Sequence, residues 1–402
     1  MNNLTQYRSW ILGIHRRVAG AALALAIMFV PVVLAAGSAQ AQTYAETVLH
    51  SFTVTGGDGA YSLAGLVLDA QGNLYGTTDG GGAGYGTVFK VDTAGKETVL
   101  YSFTGTGGDG AVPEAGLVQD AQGNLYGTTV DGGAFGQGTV FKLDTTGKET
   151  VLYSFTGYDG SGPEAGLVLD AQGNLYGTTK YGGNLACYAP YGCGTVFKLD
   201  TTGKETVLYS FTGTGTGDGE APEAGLVLDT KGNLYGTTPY GGTNGGASNG
   251  GTVFKVDTTG KETVLYSFAG TGAGDGQNPE AGLVLDAQGN LYGTTYFGGA
   301  NAGGTVFKVD TTGKETVLHS FTGTGGGRRT ALGRFSAGRA GQPVWHDLPW
   351  RRFRQRNGVQ AGACGSDQDY HYALVFTESV HLRAGSDLYR SGHFQVQAWC
   401  AA

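Results

Sequence analysis

Acidic residues recur at fixed positions in this chain, and their side chains are of the kind that Ca²⁺ prefers. A Gly-Asp-Gly turn carries an aspartate in five copies: Asp58, Asp109, Asp159, Asp218 and Asp275. A glutamate follows in four of them, where the first copy has Leu63: Glu114, Glu164, Glu223 and Glu280. Carboxylates and carbonyls grouped in loops bind Ca²⁺. The four Asp/Glu pairs therefore form candidate calcium sites, although Asp-Gly turns without a metal also explain the aspartates.

Aromatic residues occupy the longest and most variable connection of each repeat. Three of them follow a Thr-Thr pair at aligned positions: Tyr181, Tyr240 and Phe297. Others lie beside them or later in the same connections: Tyr296, Phe135, Tyr85, Tyr188 and Tyr191. Exposed aromatics grouped on one surface are typical of binding sites, and sugar rings stack on them. We predict that Tyr181, Tyr240, Tyr296, Phe297 and Phe135 bind a glycan or a protein; the alternative is that each packs over its own Gly-rich loop.

Cysteine and histidine offer little further chemistry. Cys187 and Cys193 share one connection, and their short spacing predicts a disulfide in an oxidising compartment; a metal-binding pair is the alternative. His50 and His319 replace a tyrosine that the other copies carry, which indicates packing variants within a strand. Cys364 and Cys400 lie beyond the repeats.

The remaining motifs argue against most forms of catalysis. No Ser-His-Asp or Cys-His arrangement can be assembled, and none of the Gly-x-Gly patterns opens a helix that would bind phosphate. A formal net charge of −8 argues against nucleic acid as a partner. We expect a non-catalytic binding protein with no cofactor except possible calcium. A propeller-type lyase or hydrolase and a structural envelope protein are the alternatives.

The elements that position these residues repeat along the chain. Successive copies begin at Glu46, Glu97, Glu149, Glu205, Glu262 and Glu315, about 51–57 residues apart. Each copy contains four segments rich in Val, Leu, Tyr, Phe and Thr, which predict short strands. In the second copy these segments cover residues 115–119, 124–129, 139–143 and 150–155. Two connections are short Asp-x-x-Gly turns and two are long.

Four-stranded units of this length, arranged radially, predict an all-β fold of the β-propeller type. A parallel β-helix is less consistent, because its coils are shorter and lack hairpin turns. Alternation of short and long connections places both long connections of every repeat at the same end of the sheets. We call this end the long-loop face, and we expect any binding site to lie there. The segment before the first repeat, residues 47–52, is predicted to complete the last blade.

The sequences GLVLDAQGNLYGTT, which begins at Gly65, and GTVFK resemble the Gloeo/Verruco (GloVer) tandem-repeat family over residues 46–326, and Asp-x-x-Gly-Asn-Leu-Tyr resembles NHL-type propeller blades. The resemblance implies secretion and often a C-terminal surface anchor of variable type. It brings no established activity, and no anchor is recognisable in this chain.

The two ends of the chain differ from the repeats. Residues 1–41 have a basic start, an apolar run and an Ala-Gln-Ala site, which predict a cleaved signal peptide and an extracytoplasmic mature protein; a retained anchor is the alternative. The mature chain, by this prediction, has no membrane span.

After residue 326 the repeat stops. Read from the second base of each codon, residues 341–360 permit GNLYGTTYRGGASGNGTVFK, a sixth copy of the repeat. We therefore interpret residues 327–402 as an out-of-frame sixth repeat produced by a one-base insertion, and we assign no site to the residues there.

Overall fold

The computed structural model describes residues 47–53, 55, 57–213, 217–243, 250–270 and 274–321, together with the backbone of four later strands. The repeats form five antiparallel four-stranded sheets, in which neighbours in sequence are neighbours in the sheet. The first strands are Val67–Leu68, Val118–Gln119, Val168–Leu169, Val227–Leu228 and Val284–Leu285. The second strands are Leu74–Thr78, Leu125–Thr129, Leu175–Thr179, Leu234–Thr238 and Leu291–Thr295. The third strands are Thr87–Val91, Thr139–Leu143, Thr195–Leu199, Thr252–Val256 and Thr305–Val309. The fourth strands are Glu97–Ser102, Glu149–Ser154, Glu205–Ser210, Glu262–Ser267 and Glu315–Ser320. These sheets are the blades of a β-propeller, as predicted.

Short two-residue strands connect the long loops. The short strand in the loop that leads into a blade pairs with the short strand in the loop after that blade's second strand. The two long loops of each blade therefore meet on the long-loop face. The pairs are Gly59–Ala60 with Gly80–Gly81, Gly110–Ala111 with Asp131–Gly132, Gly219–Glu220 with Tyr240–Gly241, and Gly276–Gln277 with Phe297–Gly298. In the third blade the corresponding pairing is a single bridge between Ser161 and Tyr181.

The Asp-x-x-Gly-Asn turn is held by its own aspartate. In the third blade Asp170 Oδ1 accepts hydrogen bonds from the backbone N–H groups of Gln172 and Asn174, and Oδ2 accepts from the Asn174 amide at 2.7 Å and the Tyr176 hydroxyl at 3.0 Å. Gly173 has φ +87°, a conformation that glycine adopts without strain. The predicted tight hairpin is therefore present, and the asparagine and tyrosine of the motif serve the turn.

Adjacent blades pack face to face through buried aromatics. Phe155, which directly follows the fourth strand of the second blade, is fully buried against Leu167, Leu175 and Phe197 of the third blade. The Phe155 and Phe197 rings meet edge to face at 5.1 Å between centroids. The same contact recurs between the other described blades. Burial of one phenylalanine per interface thus links each blade to the next.

The first strands are shorter than predicted, because the residues before them bond to the previous blade. Ala115 was expected to begin a strand, but its carbonyl accepts a hydrogen bond from Thr77 Oγ1 at 2.8 Å. A Cβ built on Gly116 would lie 3.1 Å from the carbonyl oxygen of Gly65, and the later glycines repeat this approach. Glycine here allows successive first strands to lie close together along the inner edge of the blades.

We expect Gly177→Ala to destabilise the third blade. The added methyl group would lie 2.6 Å from Phe197 Cζ and 3.0 Å from Leu167 Cδ2, inside the packed interface. Overpacking of this kind costs about 1–3 kcal/mol. Urea unfolding would measure the loss. Gly80→Ala is the control, because its methyl group would lie 3.3 Å from the half-exposed Tyr61 ring and 3.7 Å from Ala60 Cβ; an equal loss in both variants would contradict the packing explanation.

The strand Thr47–Phe52 takes the place of a fourth strand beside the first blade. Phe52 is fully buried and packs on Phe89 at 5.0 Å, the contact seen between complete blades. Its backbone pairs with Tyr370–Leu382, which in turn pairs with Leu388–Cys400, and a separate hairpin joins Arg334–Ala337 to Pro343–His346. The predicted signal peptide and most of residues 327–402 lie outside the described residues. Within the described ranges, no helical segment has the length and hydrophobicity needed to cross a bilayer.

Candidate functional site

Lys180 and two glutamates form an ion-paired group on the long-loop face. The Lys180 ammonium lies 3.1 Å from Glu164 Oε1 and 3.0 Å from Glu223 Oε1. Lys180 and Glu164 belong to the third blade, whereas Glu223 precedes the first strand of the fourth. All three side chains are about four-fifths buried. The group therefore ties two neighbouring blades together beside their first strands.

The electrostatics of this group leave it with excess negative charge. Burial raises the pKa of Glu164 to about 6, and Glu223 and Glu114 add to the rise, although Lys180 opposes it. Burial alone would lower the pKa of Lys180, but Glu223 and Glu164 outweigh it and raise that pKa. One ammonium thus pairs with two carboxylates, and the pKa of Glu164 is about 6.

Tyrosines surround the ion-paired group. The Lys180 ammonium lies over the Tyr181 ring at 5.6 Å, and Tyr181 contacts Tyr191 at 5.9 Å between centroids. Tyr191 in turn contacts Tyr188 at 5.8 Å. In the fourth blade, burial raises the pKa of Tyr240, with Glu223 and Glu280 contributing and Lys180 opposing, so that phenol lies within electrostatic range of the same charges. Tyr188, Tyr191 and Tyr240 are 53%, 57% and 42% exposed. We call Lys180, Glu164, Glu223, Tyr181 and these three tyrosines the Lys180 site.

A disulfide shapes the loop that carries Tyr188 and Tyr191. The structure joins Cys187 to Cys193, and the Cys193 carbonyl accepts a hydrogen bond from Ala221 N at 2.9 Å in the following blade connection. The Tyr191 carbonyl accepts one from Gly182 N at 2.7 Å. The later end of the loop is therefore fastened by two backbone hydrogen bonds, the disulfide ties Cys187 to it, and Tyr191 is held next to Tyr181.

The other aromatic residues of the predicted surface lie in different loops. Phe297 is 40% exposed and contacts Tyr296 at 4.4 Å in the fifth blade. Phe135 is 61% exposed in the second blade. Tyr181 contacts the Lys180 ammonium, and Tyr240 is affected by the same charges, whereas no described contact joins Phe135, Tyr296 or Phe297 to either tyrosine.

The repeated aspartates and glutamates of the predicted calcium sites have different surroundings. Asp109 accepts hydrogen bonds from Thr104 N, Thr104 Oγ1 and Gly110 N, at 2.7–2.8 Å. Asp159, Asp218 and Asp275 each accept one from a tyrosine hydroxyl of the preceding fourth strand. Glu164 and Glu223 instead contact Lys180, with Glu114 and Glu280 in the same electrostatic environment. Calcium at these pairs stays a prediction.

Lys180 is the residue that sequence reasoning missed. The position after the Thr-Thr pair is occupied by Asp79, Val130, Lys180, Pro239 and Tyr296 in the five blades. A single cation in an otherwise repeated framework breaks the symmetry of the blades. A lysine present in one copy only, beside glutamates present in four copies, was the sequence feature that could have indicated this site.

Comparison with known proteins identifies the repeat. The family model described as the Gloeobacter/Verrucomicrobia repeat matches residues 38–245 and 186–339. No curated protein shows significant sequence similarity to the chain.

Two solved structures illustrate the structural similarity. A gluconolactonase from Xanthomonas campestris is 17% identical, with 75% of this chain and 88% of that chain covered and a TM-score of 0.42. A protein of unknown function from Dyadobacter fermentans is 10% identical, with 87% and 98% covered and a TM-score of 0.44. Since these TM-scores are low, the fold assignment rests on the strand order and blade packing described above.

Proposed function

We propose that this chain, which belongs to the Gloeobacter/Verrucomicrobia repeat family, binds a carbohydrate at the Lys180 site without transforming it. The observation that supports this proposal most is the grouping of exposed tyrosines around a partly buried lysine and two glutamates. Carbohydrates present alternating apolar ring faces and hydroxyl groups. A site for them combines aromatic faces with fixed hydrogen-bonding groups.

The aromatic part of the site has the required rigidity. Tyr181 is held by two backbone hydrogen bonds to Ser161 at 3.0 Å, and Tyr191 is held by the disulfide-linked loop. Tyrosine gives a large contact area for little loss of side-chain entropy. A ligand stacked on Tyr191 or Tyr240 would bury rings that are now about half exposed.

The polar part of the site favours a neutral ligand. Glu164 and Glu223 accept hydrogen bonds from hydroxyl groups, and Lys180 donates them. With Glu114 and Glu280 nearby, carboxylates outnumber the ammonium. A uronic acid polymer would be repelled, so we propose a neutral polysaccharide.

The test is affinity electrophoresis in gels containing xylan, mixed-linkage β-glucan or mannan, with polygalacturonate as the acidic comparison. We expect at least one neutral polymer to retard the protein. Tyr181→Ala combined with Tyr240→Ala should weaken retention about tenfold, since each aromatic contact contributes about 0.5–1.5 kcal/mol. The melting temperature should change little, because Tyr240 is exposed and the hydrogen bonds of Tyr181 to Ser161 are made by backbone atoms that alanine retains.

Tyr85→Ala is the matched control. Tyr85 is 44% exposed in the corresponding loop of the first blade, where no lysine follows the Thr-Thr pair. This variant should bind normally. Unchanged retention in the double variant, or retardation by polygalacturonate alone, would refute the proposal.

A second candidate function is hydrolysis of a glycosidic bond at the same site. Since both carboxylates contact one ammonium, their nearest oxygens lie no more than about 6 Å apart, an upper limit that does not conflict with the roughly 5–5.5 Å separation of retaining glycosidases. A Glu164 pKa of about 6 suits a general acid. New reducing ends that Glu164→Gln abolishes, with retention preserved, would favour this function over binding alone.

We propose that the protein acts outside the cytoplasm. The basic and apolar character of residues 1–41 supports export, and the Cys187–Cys193 disulfide is typical of an oxidising compartment. N-terminal sequencing of the protein recovered from the periplasm or medium should begin at Gln42. A mature chain that still begins at Met1 would contradict cleavage.

A further inference from the structure

A second group of ligating side chains lies between Thr47–Phe52 and the first blade. His50, Asp58 and Glu97 each present one ligand atom, and the three atoms lie within 4.8 Å of one another. His50 Nε2 is 3.6 Å from Asp58 Oδ1. Among the residues that the structure describes, this is the only group of three or more His, Cys, Asp or Glu side chains gathered so closely.

The other blade interfaces show what is different here. At the position of His50 the next four copies have Tyr101, Tyr153, Tyr209 and Tyr266, and the sixth has His319. The Tyr209 and Tyr266 hydroxyls donate to Asp218 and Asp275 at 2.8 and 2.9 Å. In those interfaces a hydroxyl–carboxylate hydrogen bond therefore satisfies the aspartate. In the first interface an imidazole nitrogen replaces the hydroxyl.

The imidazole nitrogen has no hydrogen-bond partner, although Asp58 Oδ1 lies 3.6 Å away. His50 Nε2 is inaccessible to solvent and accepts or donates no hydrogen bond. Glu97 Oε1 is equally buried and without a partner, a property shared by the corresponding glutamates of the other four copies. The His50 ring does pack on Phe52, at 4.9 Å, as expected for a packing variant, but this contact leaves Nε2 directed at the two carboxylates.

We propose that His50, Asp58 and Glu97 bind Zn²⁺ and so fasten Thr47–Phe52 to the first blade. One imidazole and two carboxylates are common zinc ligands, with metal–ligand distances of about 2.0–2.2 Å. Small side-chain rotations would bring atoms now within 4.8 Å to that geometry. Asp58 is already oriented, because Oδ2 accepts hydrogen bonds from Thr53 N and Thr53 Oγ1 at 2.7 and 2.9 Å.

The ligands come from three separate parts of the chain. His50 lies on the strand before the repeats, Asp58 in the following loop and Glu97 at the start of the first blade's fourth strand. A metal at this point would cross-link the beginning of the repeat array to the first blade. The metal would thus hold this strand in addition to the buried Phe52 side chain, which holds it already.

The test measures Zn²⁺ binding to the full purified chain after removal of metals with a chelator. Isothermal titration should show a site in the wild type that is missing in His50→Tyr, which installs the residue of the other four interfaces. That variant should fold as well as the wild type without metal. Zinc should raise the melting temperature of the wild type and leave that of His50→Tyr unchanged.

A gain-of-site variant removes the ambiguity of zinc bound elsewhere, for example by histidines after residue 326. Tyr153→His places an imidazole beside Asp159 and Glu205 in the third blade's interface, and should raise the zinc stoichiometry by one. Equal zinc binding by wild type and His50→Tyr, or no zinc binding by either, would overturn the proposal.

Discussion

Lys180→Met should destabilise the protein strongly at pH 8 and little at pH 5. The substitution keeps an apolar stem of similar length but leaves Glu164 and Glu223 facing each other without the ammonium. Removing one partner of a buried ion pair costs about 3–5 kcal/mol. Because these side chains are about one-fifth exposed, we expect a smaller loss, about 2 kcal/mol at pH 8.

The pH dependence follows from the raised pKa of Glu164, which is about 6 even with Lys180 present. Without Lys180, which lowers it, this pKa should rise further. At pH 5 the carboxyl group is then protonated in the folded state, so the repulsion disappears. Urea unfolding at the two pH values measures the difference.

Two variants separate charge from packing in this experiment. Lys198→Met removes another lysine of the third blade, whose ammonium lies over Tyr176 at 5.7 Å, and should cost little at either pH. Adding Glu223→Gln to Lys180→Met should recover most of the lost stability. If Lys180→Met loses the same free energy at pH 5 and pH 8, the ion-pair explanation is wrong.

Much of the fold can be predicted from the sequence, because the hairpin turns of each repeat are specified by residues that lie close together in the chain. The Asp170 turn uses four residues within one stretch of seven, so its chemistry is visible without any tertiary contact. The third strand Thr139–Leu143 was predicted with its observed bounds. The first strands were predicted too long, since Ala115 bonds to Thr77 of the preceding blade, a contact that no local pattern reveals.

The candidate site could be predicted only in part, because it joins residues from different repeats. Tyr181 and Tyr240 were recognisable from their alignment after the Thr-Thr pair. The grouping of Lys180 with Tyr181 and Glu223 depends on the packing of the third blade against the fourth, which brings Glu223 within 3.0 Å of Lys180. The sequence offered Glu164 and Glu223 only as members of a repeated set. A comparison of the copies at the variable position after the Thr-Thr pair, where only the third blade has a cation, leads to Lys180.

The protein as a whole should be most stable at mildly acidic pH and lose stability as the pH rises to about 7. The glutamate that begins each fourth strand, as at Glu149, Glu205 and Glu262, has its pKa raised from 4.5 to about 7, first by burial and then by the aspartate of the neighbouring loop. A raised pKa means that the folded state disfavours the charged form. The contribution of these groups to the free energy of unfolding is therefore complete below about pH 4.5 and decreases until about pH 7.

The turn aspartates set the lower limit of this range. For Asp120, Asp170 and Asp229, hydrogen bonds from the turn outweigh burial and lower the pKa, so their contribution is lost when strong acid protonates them. Between these limits, at about pH 4–4.5, we expect the maximum of stability. Because the glutamates are only about half buried, each contributes about 1 kcal/mol of the decline rather than the full value of its shift.

Replacing Glu149, Glu205 and Glu262 together by glutamine tests the origin of this decline. Glutamine cannot ionise, so the melting temperature of the triple variant should fall less than that of the wild type between pH 5 and pH 8. Glu97 is left intact because it belongs to the proposed zinc site. Asp131→Asn removes an exposed carboxylate of the second blade and should leave the wild-type profile unchanged. A triple variant with the full wild-type decline would show that the pH dependence arises elsewhere, because these three carboxyl groups would then ionise at no cost to the folded state.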